Sequence, residues 1–396
     1  MNLNQIDYLK ACRLRVGTDI VGDILPFWLK NGLDRENGGI FTCLDRDGTL
    51  MDTTKSVWFQ GRFGYVAALA ARELGNEEYL KASKSAIDFI EAHCFAPDGG
   101  HMYFEVTEDG VGLRKRRYVF SESFAAIAMS EYAVASGDMT YARKALELFK
   151  RMQRFLSEPG FLPSKYEPVF QAQGHSITMI LVNTAACIRK AIADPCLDEQ
   201  IDRSVDALRK YFMHPEYQAL LETVGPEGEF IDTLAGRTIN PGHCIETAWF
   251  LLEESKHRGW DKDLTEMALT IFNWSWKWGW DEEFGGILNF RDCKGFPNQD
   301  YSQDMKFWWP HCEAIICTLY AYQATGDERY LALHRQVSDW TWSHFPDPEF
   351  GEWYGYLHRD GSPAHRAKGN LFKGPFHIPR MLVKARELCF EITENQ

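Results

Sequence analysis

One motif decides the fold: Asp34-Arg35-Glu36-Asn37-Gly38-Gly39-Ile40-Phe41, which returns as Asp281-Glu282-Glu283-Phe284-Gly285-Gly286-Ile287-Leu288. Shorter copies of it are Asp98-Gly99-Gly100 and Asp347-Pro348-Glu349-Phe350-Gly351. Each copy is a short alternating run between turn residues, and its glycines permit positive φ angles. Each copy therefore predicts a small β-hairpin.

The spacing of these copies indicates an internal repeat. Gly38 and Gly99 lie 61 residues apart, Gly285 and Gly351 lie 66 apart, and the 186 residues between Gly99 and Gly285 equal three intervals of 62. Degenerate copies are expected near 161 and 223, where the chain has Gly160 and Gly225. Short connections recur with the same period at Gly75, Gly137 and Gly326. Six units of about 66 residues would fill the 396-residue chain.

Helical periodicity fills the intervals between the glycine motifs. Apolar residues recur at i, i+3 and i+4 over 58–74, 77–95, 120–135, 140–156, 177–192, 197–212, 243–254, 264–276, 308–325 and 329–342. An N-terminal helix and a last one over 380–392 bring the total to about twelve. One helix of each pair is the more apolar, as expected for a helix buried on both sides.

This pattern predicts an all-α fold, the (α/α)6 barrel, in which six helical hairpins close into a ring with short β-hairpins at the active-site end. The barrel would be a single domain over 1–396, although length alone would suggest two or three domains. An open solenoid is the alternative, but its last helix would lack a partner unless the N-terminal helix returns to it.

Composition and charge narrow the class of partner. The chain carries 43 Lys and Arg against 56 Asp and Glu, a net charge of −13, and its one basic run is short, so nucleic acid is not an expected partner. The N-terminus has no signal-peptide pattern and no window is apolar enough to span a membrane, so we expect a cytoplasmic protein that does not bind membranes. Aromatic residues reach 14%, which indicates a pocket with stacking walls.

Residues suited to chemistry gather where the hairpins precede the more apolar helices. His243 and Glu246 stand at i and i+3, so they share a helical face and the carboxylate can orient the imidazole. His377 lies on a different repeat and would reach the same cavity from another direction. Two imidazoles that face each other suit removal and return of a proton at a carbon next to a carbonyl. Arg62 would stabilise the enolate oxygen that forms between the two steps.

The residues of this acid/base site also have structural interpretations. His243 with Glu246 is also compatible with a metal pair or a solvated helix start. His377 is compatible with a helix cap, and Arg62 with a bridge to a structural carboxylate. His311 and Glu313 are separated by two, so at most one of them points inward, and Glu313 is equally suited to pair with a buried arginine or an indole N–H.

The aromatic and remaining histidine residues leave similar alternatives. Trp308 and Trp309 suit either the core or the cavity wall, and His175 either lines the pocket or is a structural histidine. His257 and His334 are expected on outer helices, exposed to solvent. No phosphate-binding loop, dinucleotide fingerprint or H-E-x-x-H motif is present, so no cofactor and no metal are expected.

Several separated blocks together resemble the N-acylglucosamine 2-epimerase family, also called renin-binding proteins. The blocks are residues 38–48, 55–62 and 120–122, Gly236-Arg237, Asn240-Pro241-Gly242-His243 with Glu246, Trp308-Trp309-Pro310 with Glu313, and Lys373-Gly374-Pro375-Phe376-His377-Ile378-Pro379-Arg380. The resemblance implies an (α/α)6 barrel, usually a homodimer, that interconverts N-acetylglucosamine and N-acetylmannosamine. It implies His243 and His377 as the acid/base pair, Arg62 at the sugar oxygen, and Glu246 and Glu313 as supporting groups. Candidate substrate-binding residues are Trp58, Trp308, Trp309, Phe376 and His175.

Three other functions stay open from the sequence. Cellobiose 2-epimerases and aldose-ketose isomerases share the fold and the two-histidine chemistry. A glycoside hydrolase on the same barrel would need two carboxylates, for which Glu246 and Glu313 are candidates, but it would leave the histidines idle. A non-catalytic binding protein is the third.

Overall fold

Paired helices make up most of the structure, a computed structural model that describes residues 1–97, 99–158, 160–163 and 165–394. Asp98, which begins one of the glycine motifs, lies outside the described residues. The helices are α1 (Leu3–Asp19), α2 (Leu25–Asn31), α3 (Val57–Leu74), α4 (Glu77–His93), α5 (Phe120–Ser136), α6 (Met139–Ser157), α7 (His175–Ala191), α8 (Pro195–Ala207), α9 (Pro241–His257), α10 (Lys262–Gly279), α11 (Trp308–Thr325), α12 (Glu328–His344) and α13 (His377–Glu394). Single π-helical turns at Ile20–Ile24 and Leu208–Phe212 join α1 to α2 and extend α8.

The inner ring consists of α3, α5, α7, α9, α11 and α13. Each inner helix packs against the next, and α13 packs against α3, so the ring is closed. The inner helices are buried on nearly all sides, whereas an outer helix such as α6 buries only one face, which includes Tyr141, Leu148 and Phe149. The N-terminal α1 returns to pack on α13. The predicted (α/α)6 barrel is therefore confirmed, and the open solenoid is excluded.

Short antiparallel strands lie at one end of the ring. They are β1 (Lys55–Ser56), β2 (Glu105–Val106), β3 (Gly112–Arg114), β4 (Gln173–Gly174), β5 (Met213–His214), β6 (Ala219–Leu220), β7 (Thr223–Val224), β8 (Thr238–Ile239), β9 (Arg291–Asp292), β10 (Lys306–Phe307), β11 (Tyr356–Leu357) and β12 (Pro363–His365). They pair in the orders β1-β2-β3, β10-β11-β12, β4-β7, β5-β6 and β8-β9. Strands β1, β4 and β10 end directly before α3, α7 and α11, and β8 ends one residue before α9, so these inner helices begin at the hairpin end.

The opposite end of the ring carries the tight connections. Gly75, Gly137 and Gly326 follow α3, α5 and α11 with φ of 65°, 78° and 67°, values that only glycine adopts without strain. The residue after each glycine caps the outer helix: the Asp138 side chain accepts from Thr140 N, and that of Asp327 from Arg329 N. These turns are the short connections whose glycines recur with the repeat period, and they lie at the end of the ring opposite the hairpins.

In three of the glycine motifs the aspartate forms a buried ion pair with a lysine that follows it in the chain, on β1, on β10 or in the loop after β12. Lys55 Nζ donates to Asp34 at 2.7 Å, Lys306 to Asp281 at 2.9 Å, and Lys368 to Asp347 at 2.9 Å. In each copy the aspartate N–H also closes the turn on a carbonyl five residues later. Because all six side chains are almost fully buried, the pairs are structural and lie outside the acid/base site.

Two details differ from the sequence expectations. His334 lies on outer helix α12 as expected, but it is buried, and its Nδ1 contacts the Tyr8 hydroxyl at 2.7 Å where α1 covers α12. His257 is exposed, but it ends the inner helix α9 and not an outer one. Among the described residues, no helix combines the length and apolarity that a bilayer span requires.

Candidate active site

The first turns of the inner helices bring the predicted acid/base residues together at the hairpin end. Arg62 lies on α3, His243 and Glu246 on α9, Glu313 on α11 and His377 on α13. The start of α9 is set by its sequence, since Pro241 occupies the first turn and the Asn240 side chain accepts from His243 N at 3.1 Å. Residues up to 315 positions apart along the chain thus meet because parallel inner helices begin at the same end.

His377 is held from behind by Glu313. Its Nδ1 lies 2.7 Å from Glu313 Oε1, and the second carboxylate oxygen accepts from Trp249 Nε1 at 2.7 Å. A carboxylate only accepts hydrogen bonds, so the network assigns the His377 proton to Nδ1 and leaves Nε2 with its lone pair. Among the described residues Nε2 has no hydrogen-bond partner. His377 therefore has the tautomer that a general base needs.

Arg380 connects the carboxylates of two helices. Its Nη2 lies 2.6 Å from Glu246 Oε1, 2.7 Å from Glu313 Oε1 and 3.3 Å from His377 Nδ1. All four side chains are almost fully buried. The expectation that Glu246 orients His243 is wrong, because the buried guanidinium of Arg380 takes the Glu246 carboxylate instead. Glu313 accepts from the Arg380 guanidinium and from the Trp249 indole N–H, which are the two kinds of partner that the sequence offered for it.

Glu222, and not Glu246, is the carboxylate that contacts His243. It follows β6, and its two oxygens lie 3.0 and 3.2 Å from His243 Nδ1. The same carboxylate lies 3.3 Å from His175 Nδ1, and His175 Nε2 lies 2.9 Å from the Thr247 hydroxyl. His175 is completely buried with both ring nitrogens engaged, so it lies behind His243, and the expectation that it lines the pocket is wrong.

The two imidazoles have pKa values shifted in opposite directions. For His243, burial disfavours the charged form, but the Glu222 carboxylate outweighs it and raises the pKa. For His377, burial lowers the pKa far below its usual range, and the charges of Arg380 and Arg62 lower it further. The opposite shifts favour the charged form of His243, which suits a proton donor, and the neutral form of His377, which suits a proton acceptor.

Arg62 is a partly exposed cation without a carboxylate partner among the described residues. Its guanidinium lies 4.2 Å from the Phe124 ring centroid and 4.9 Å from that of Phe376, and its Nε makes no hydrogen bond. Burial lowers the pKa of Arg62 to about 9, which leaves it charged at neutral pH. The contacts of Arg62 therefore do not include the bridge to a structural carboxylate that the sequence left open. The charge of its guanidinium is available to a ligand.

The predicted aromatic wall divides into two groups. Trp309 is partly exposed and contacts both imidazoles, with ring centroids 5.2 Å from His243 and 5.6 Å from His377. Trp58 is also partly exposed, beside Arg62. Trp308 and Phe376 are only 3% and 2% exposed and pack edge-on against His377, so they support the imidazole from the core.

Two groups of side chains place three ligand-type atoms within 4.8 Å of one another, the separation that a metal site requires: His175, Glu222 and His243, and Glu246, Glu313 and His377. In the second group the Arg380 guanidinium already donates to both carboxylates. In the first, both imidazoles direct Nδ1 to Glu222 at hydrogen-bond distances. Hydrogen bonds account for both groups, and the expected absence of a metal stays a prediction.

Comparison with known proteins identifies the family of this chain. The family model for N-acylglucosamine 2-epimerase (GlcNAc 2-epimerase) matches residues 39–374, and the bovine (Bos taurus) N-acylglucosamine 2-epimerase is 35% identical over 96% of this chain and 92% of its own. The chain belongs to the N-acylglucosamine 2-epimerase family. A more distant relative is the cellobiose 2-epimerase of Eubacterium cellulosolvens, 23% identical over 93% of this chain and 96% of its own. The solved cellobiose 2-epimerase of Bacillus thermoamylovorans B4167 has the same fold, with a TM-score of 0.85 at 22% identity over 96% of this chain and 99% of its own.

Two residues of this N-acylglucosamine 2-epimerase family member were missed by the sequence analysis. Glu222 lies in the short connection between β6 and β7, where no helical period predicts its direction. Arg380 stands at i+3 from His377, so helical spacing places it on the same face, but its carboxylate partners lie on other helices. The i+3 spacing was the available signal for Arg380, and no sequence signal identified Glu222.

Proposed function

We propose that this chain is a sugar 2-epimerase that interconverts N-acetyl-D-glucosamine and N-acetyl-D-mannosamine by moving a proton at C2 of the open-chain sugar. One observation carries the proposal: two imidazoles contact the same indole, their pKa values are shifted apart, and neither Nε2 has a hydrogen-bond partner within the described part of the chain. Membership of the N-acylglucosamine 2-epimerase family supports the substrate class.

The first step is removal of the C2 proton. In the open-chain sugar C2 lies next to the C1 aldehyde, so the C–H bond is acidic relative to an ordinary C–H. His377 Nε2 takes this proton with its lone pair, and the electron pair of the C–H bond moves to form the enolate. His377 becomes an imidazolium whose Nδ1–H stays on Glu313, which stabilises the new charge.

The second step returns a proton on the other face of C2. His243, cationic in the resting site, donates its Nε2 proton to C2, and the enolate electron pair reforms the aldehyde. His243 ends neutral and His377 ends charged, so the substrate loses one proton to His377, gains one from His243 and has no net change in protons. The reverse reaction runs through the same intermediate with the two roles exchanged.

The enolate oxygen needs a cation during its lifetime, and Arg62 supplies it. The Arg62 guanidinium, on α3, lies against the Phe124 and Phe376 rings, and no carboxylate of the described residues pairs with it. The N-termini of the inner helices also begin at this end, and each carries a partial positive charge. Such fixed charges act strongly on an oxyanion because a buried site screens them little.

The alternatives fit the contacts less well. In a glycoside hydrolase Glu246 and Glu313 would have to deliver and accept protons freely, but one nitrogen of Arg380 binds both. A non-catalytic binding protein has no use for two free imidazole nitrogens with opposite pKa shifts. A cellobiose 2-epimerase or an aldose-ketose isomerase would use the same two histidines, and the difference between 35% and 23% identity favours the N-acylhexosamine.

Incubation in D2O with N-acetylmannosamine, followed by proton NMR, tests the reaction. We expect the C2 proton to be replaced by deuterium as N-acetylglucosamine forms. A ketose product would refute epimerisation in favour of isomerisation. Turnover of cellobiose with no turnover of either N-acetylhexosamine would refute the substrate.

Single asparagine variants of the two histidines test the roles. For the epimer whose C2 proton faces His377, His377→Asn should abolish both exchange and epimerisation, with a loss of about 10²-fold to 10⁴-fold. His243→Asn should instead keep exchange of that proton and lose inversion, since the base is intact and the donor is absent. Equal loss of exchange in both variants would refute separate roles.

The expected homodimer and cytoplasmic location stay predictions. Size-exclusion chromatography with light scattering tests the first, against a monomer mass of 45.6 kDa.

A further inference from the structure

The acid of this site has a counter-ion that no helix spacing predicts. Glu222 reaches His243 Nδ1 with both oxygens, at 3.0 and 3.2 Å, from a connection between two short strands. Its side chain is 17% exposed and that of His243 is 29% exposed, so the pair borders the open end of the ring while the rest of the network is buried. The contact leaves His243 Nε2 as the nitrogen that faces the substrate.

We propose that Glu222 is the positioning residue of His243, which holds the imidazole by Nδ1, directs Nε2–H to the sugar and supplies the counter-charge of its cationic form. This inference rests on the proposed function, in which His243 is the proton donor to the sugar. It assigns to Glu222 the role that the sequence had indicated for Glu246.

His175 and Thr247 fix Glu222 in this position. The Thr247 hydroxyl donates to the carbonyl oxygen of His243 at 2.9 Å, so its oxygen accepts from His175 Nε2. His175 Nδ1 in turn lies 3.3 Å from Glu222 Oε1. The carboxylate therefore lies between the two imidazole rings, and a threonine one turn after His243 links His175 to α9.

The charges around His243 single out Glu222 as the counter-ion. The titratable or charged groups near His243 come from every neighbouring element: Glu222 after β6, His175 on α7, Glu246 on α9, Arg62 on α3 and His377 on α13. Glu246 is neutralised by Arg380, and Arg62 repels a cationic imidazole. Glu222 is the anion in direct contact, and burial opposes its ionisation while His243 and His175 lower its pKa.

Glu222→Gln separates charge from position. The glutamine carbonyl can still accept from Nδ1–H, so the orientation of His243 is retained while the counter-charge is lost. The donor must be protonated, so the pKa of His243 sets the alkaline limb of the pH profile of kcat/KM. We expect this limb to move to lower pH by about 1 to 3 units in the variant. The acidic limb, which His377 sets, should not move.

Glu216→Gln is the matched control. Glu216 lies in the same segment and contacts His214 Nδ1 at 3.0 Å, but it is 56% exposed and away from the site. We expect both limbs of its profile to match the unmodified protein. A Glu222→Gln variant that loses rate with an unmoved alkaline limb would overturn the proposal, because a merely structural role has that outcome.

Direct titration of His243 decides the question even if Glu222→Gln fails to fold. Nitrogen-15 NMR of the unmodified protein, with the signal assigned from His243→Asn, should give a pKa for His243 above the ordinary value of about 6.5. A value at or below it would overturn the proposal. This measurement needs no turnover, so it stands apart from the substrate: absence of epimerase activity would refute the proposed function and leave the titration of His243 to decide the role of Glu222.

Discussion

Replacement of Arg380 by methionine tests how the site keeps His377 neutral. The guanidinium is 2% exposed, and one of its nitrogens lies within 2.7 Å of both Glu246 and Glu313. Methionine fills much of the same volume against Trp249 and Phe376, so the change mainly removes charge. Loss of one partner from a buried ion-pair network leaves charge uncompensated and costs about 3 to 5 kcal/mol of unfolding free energy.

The same change should move the acidic limb of the pH profile. Arg380 lowers the pKa of His377 and Glu246 raises it, so without the arginine the pKa rises. The base must be neutral to work, so the acidic limb moves to higher pH, by about 1 unit or more. Activity lost at pH 7 should therefore return in part at alkaline pH, which a pH series of kcat/KM measures.

Lys384→Met provides the comparison for Arg380→Met. Lys384 lies one turn further along α13, is 6% exposed and donates to Glu253 at 2.7 Å. Its loss should also reduce the unfolding free energy measured in urea, but should leave the acidic limb where it is. The reasoning is refuted if Arg380→Met changes the unfolding free energy by less than about 1 kcal/mol and leaves the acidic limb unmoved, or if Lys384→Met moves that limb as far.

Three further predictions follow from the contacts. Arg62→Met should reduce kcat by about 10²-fold or more, because the enolate loses its cation, and should leave the unfolding free energy unchanged or higher, because Arg62 has no ion pair to lose; a kcat near that of the unmodified protein would contradict this. Burial lowers the pKa of both His311 and His334 to about 3, so the unfolded chain binds protons that the folded one does not between pH 6.5 and 3. Stability is then fully present above about pH 6.5 and falls as the pH drops toward 3, by about 1.4 kcal/mol per unit for each histidine; urea unfolding at pH 7 and pH 5 measures it, and His334→Gln should reduce the slope. Dialysis against EDTA should leave the rate and the melting temperature unchanged, since hydrogen bonds account for both groups of ligand-type atoms; recovery of a lost rate on addition of zinc would show the opposite.

The architecture was predictable because it depends on local and periodic signals. Predicted helices at 58–74, 120–135 and 308–325 correspond to Val57–Leu74, Phe120–Ser136 and Trp308–Thr325. A helix buried on both sides must be apolar on most faces, and a tight turn needs glycine, so both leave marks in the sequence. The number of units predicted a closed ring with an open solenoid as the alternative, and the contacts of α13 with α3 and of α1 with α13 close it.

Pairings inside the site were less predictable. His243 and Glu246 were expected to pair because i and i+3 share a helical face, and they do share one. A guanidinium from α13, 134 residues away, lies closer to Glu246 and offers a charged donor, so the long-range contact prevails over the local one. His334 differs in the same way, since a polar face on α12 becomes buried only when α1 covers it.

The sequence by itself determined the six helix pairs and the residues near which the inner helices begin, because helical period and turn glycines act within a few residues. The contact of α13 with α3 in the tertiary structure closed the ring. The tertiary structure decided which side chains are partners. Arg380 pairs with Glu246 and Glu313, and Glu222 stabilises the charged form of His243. These partners meet because helices and loops distant in sequence lie at the same end of the barrel. Burial lowers the pKa of both histidines, and the charges of Arg380 and Arg62 lower that of His377 further. The Glu222 carboxylate, which only the folded ring places beside His243, raises the pKa of His243 instead.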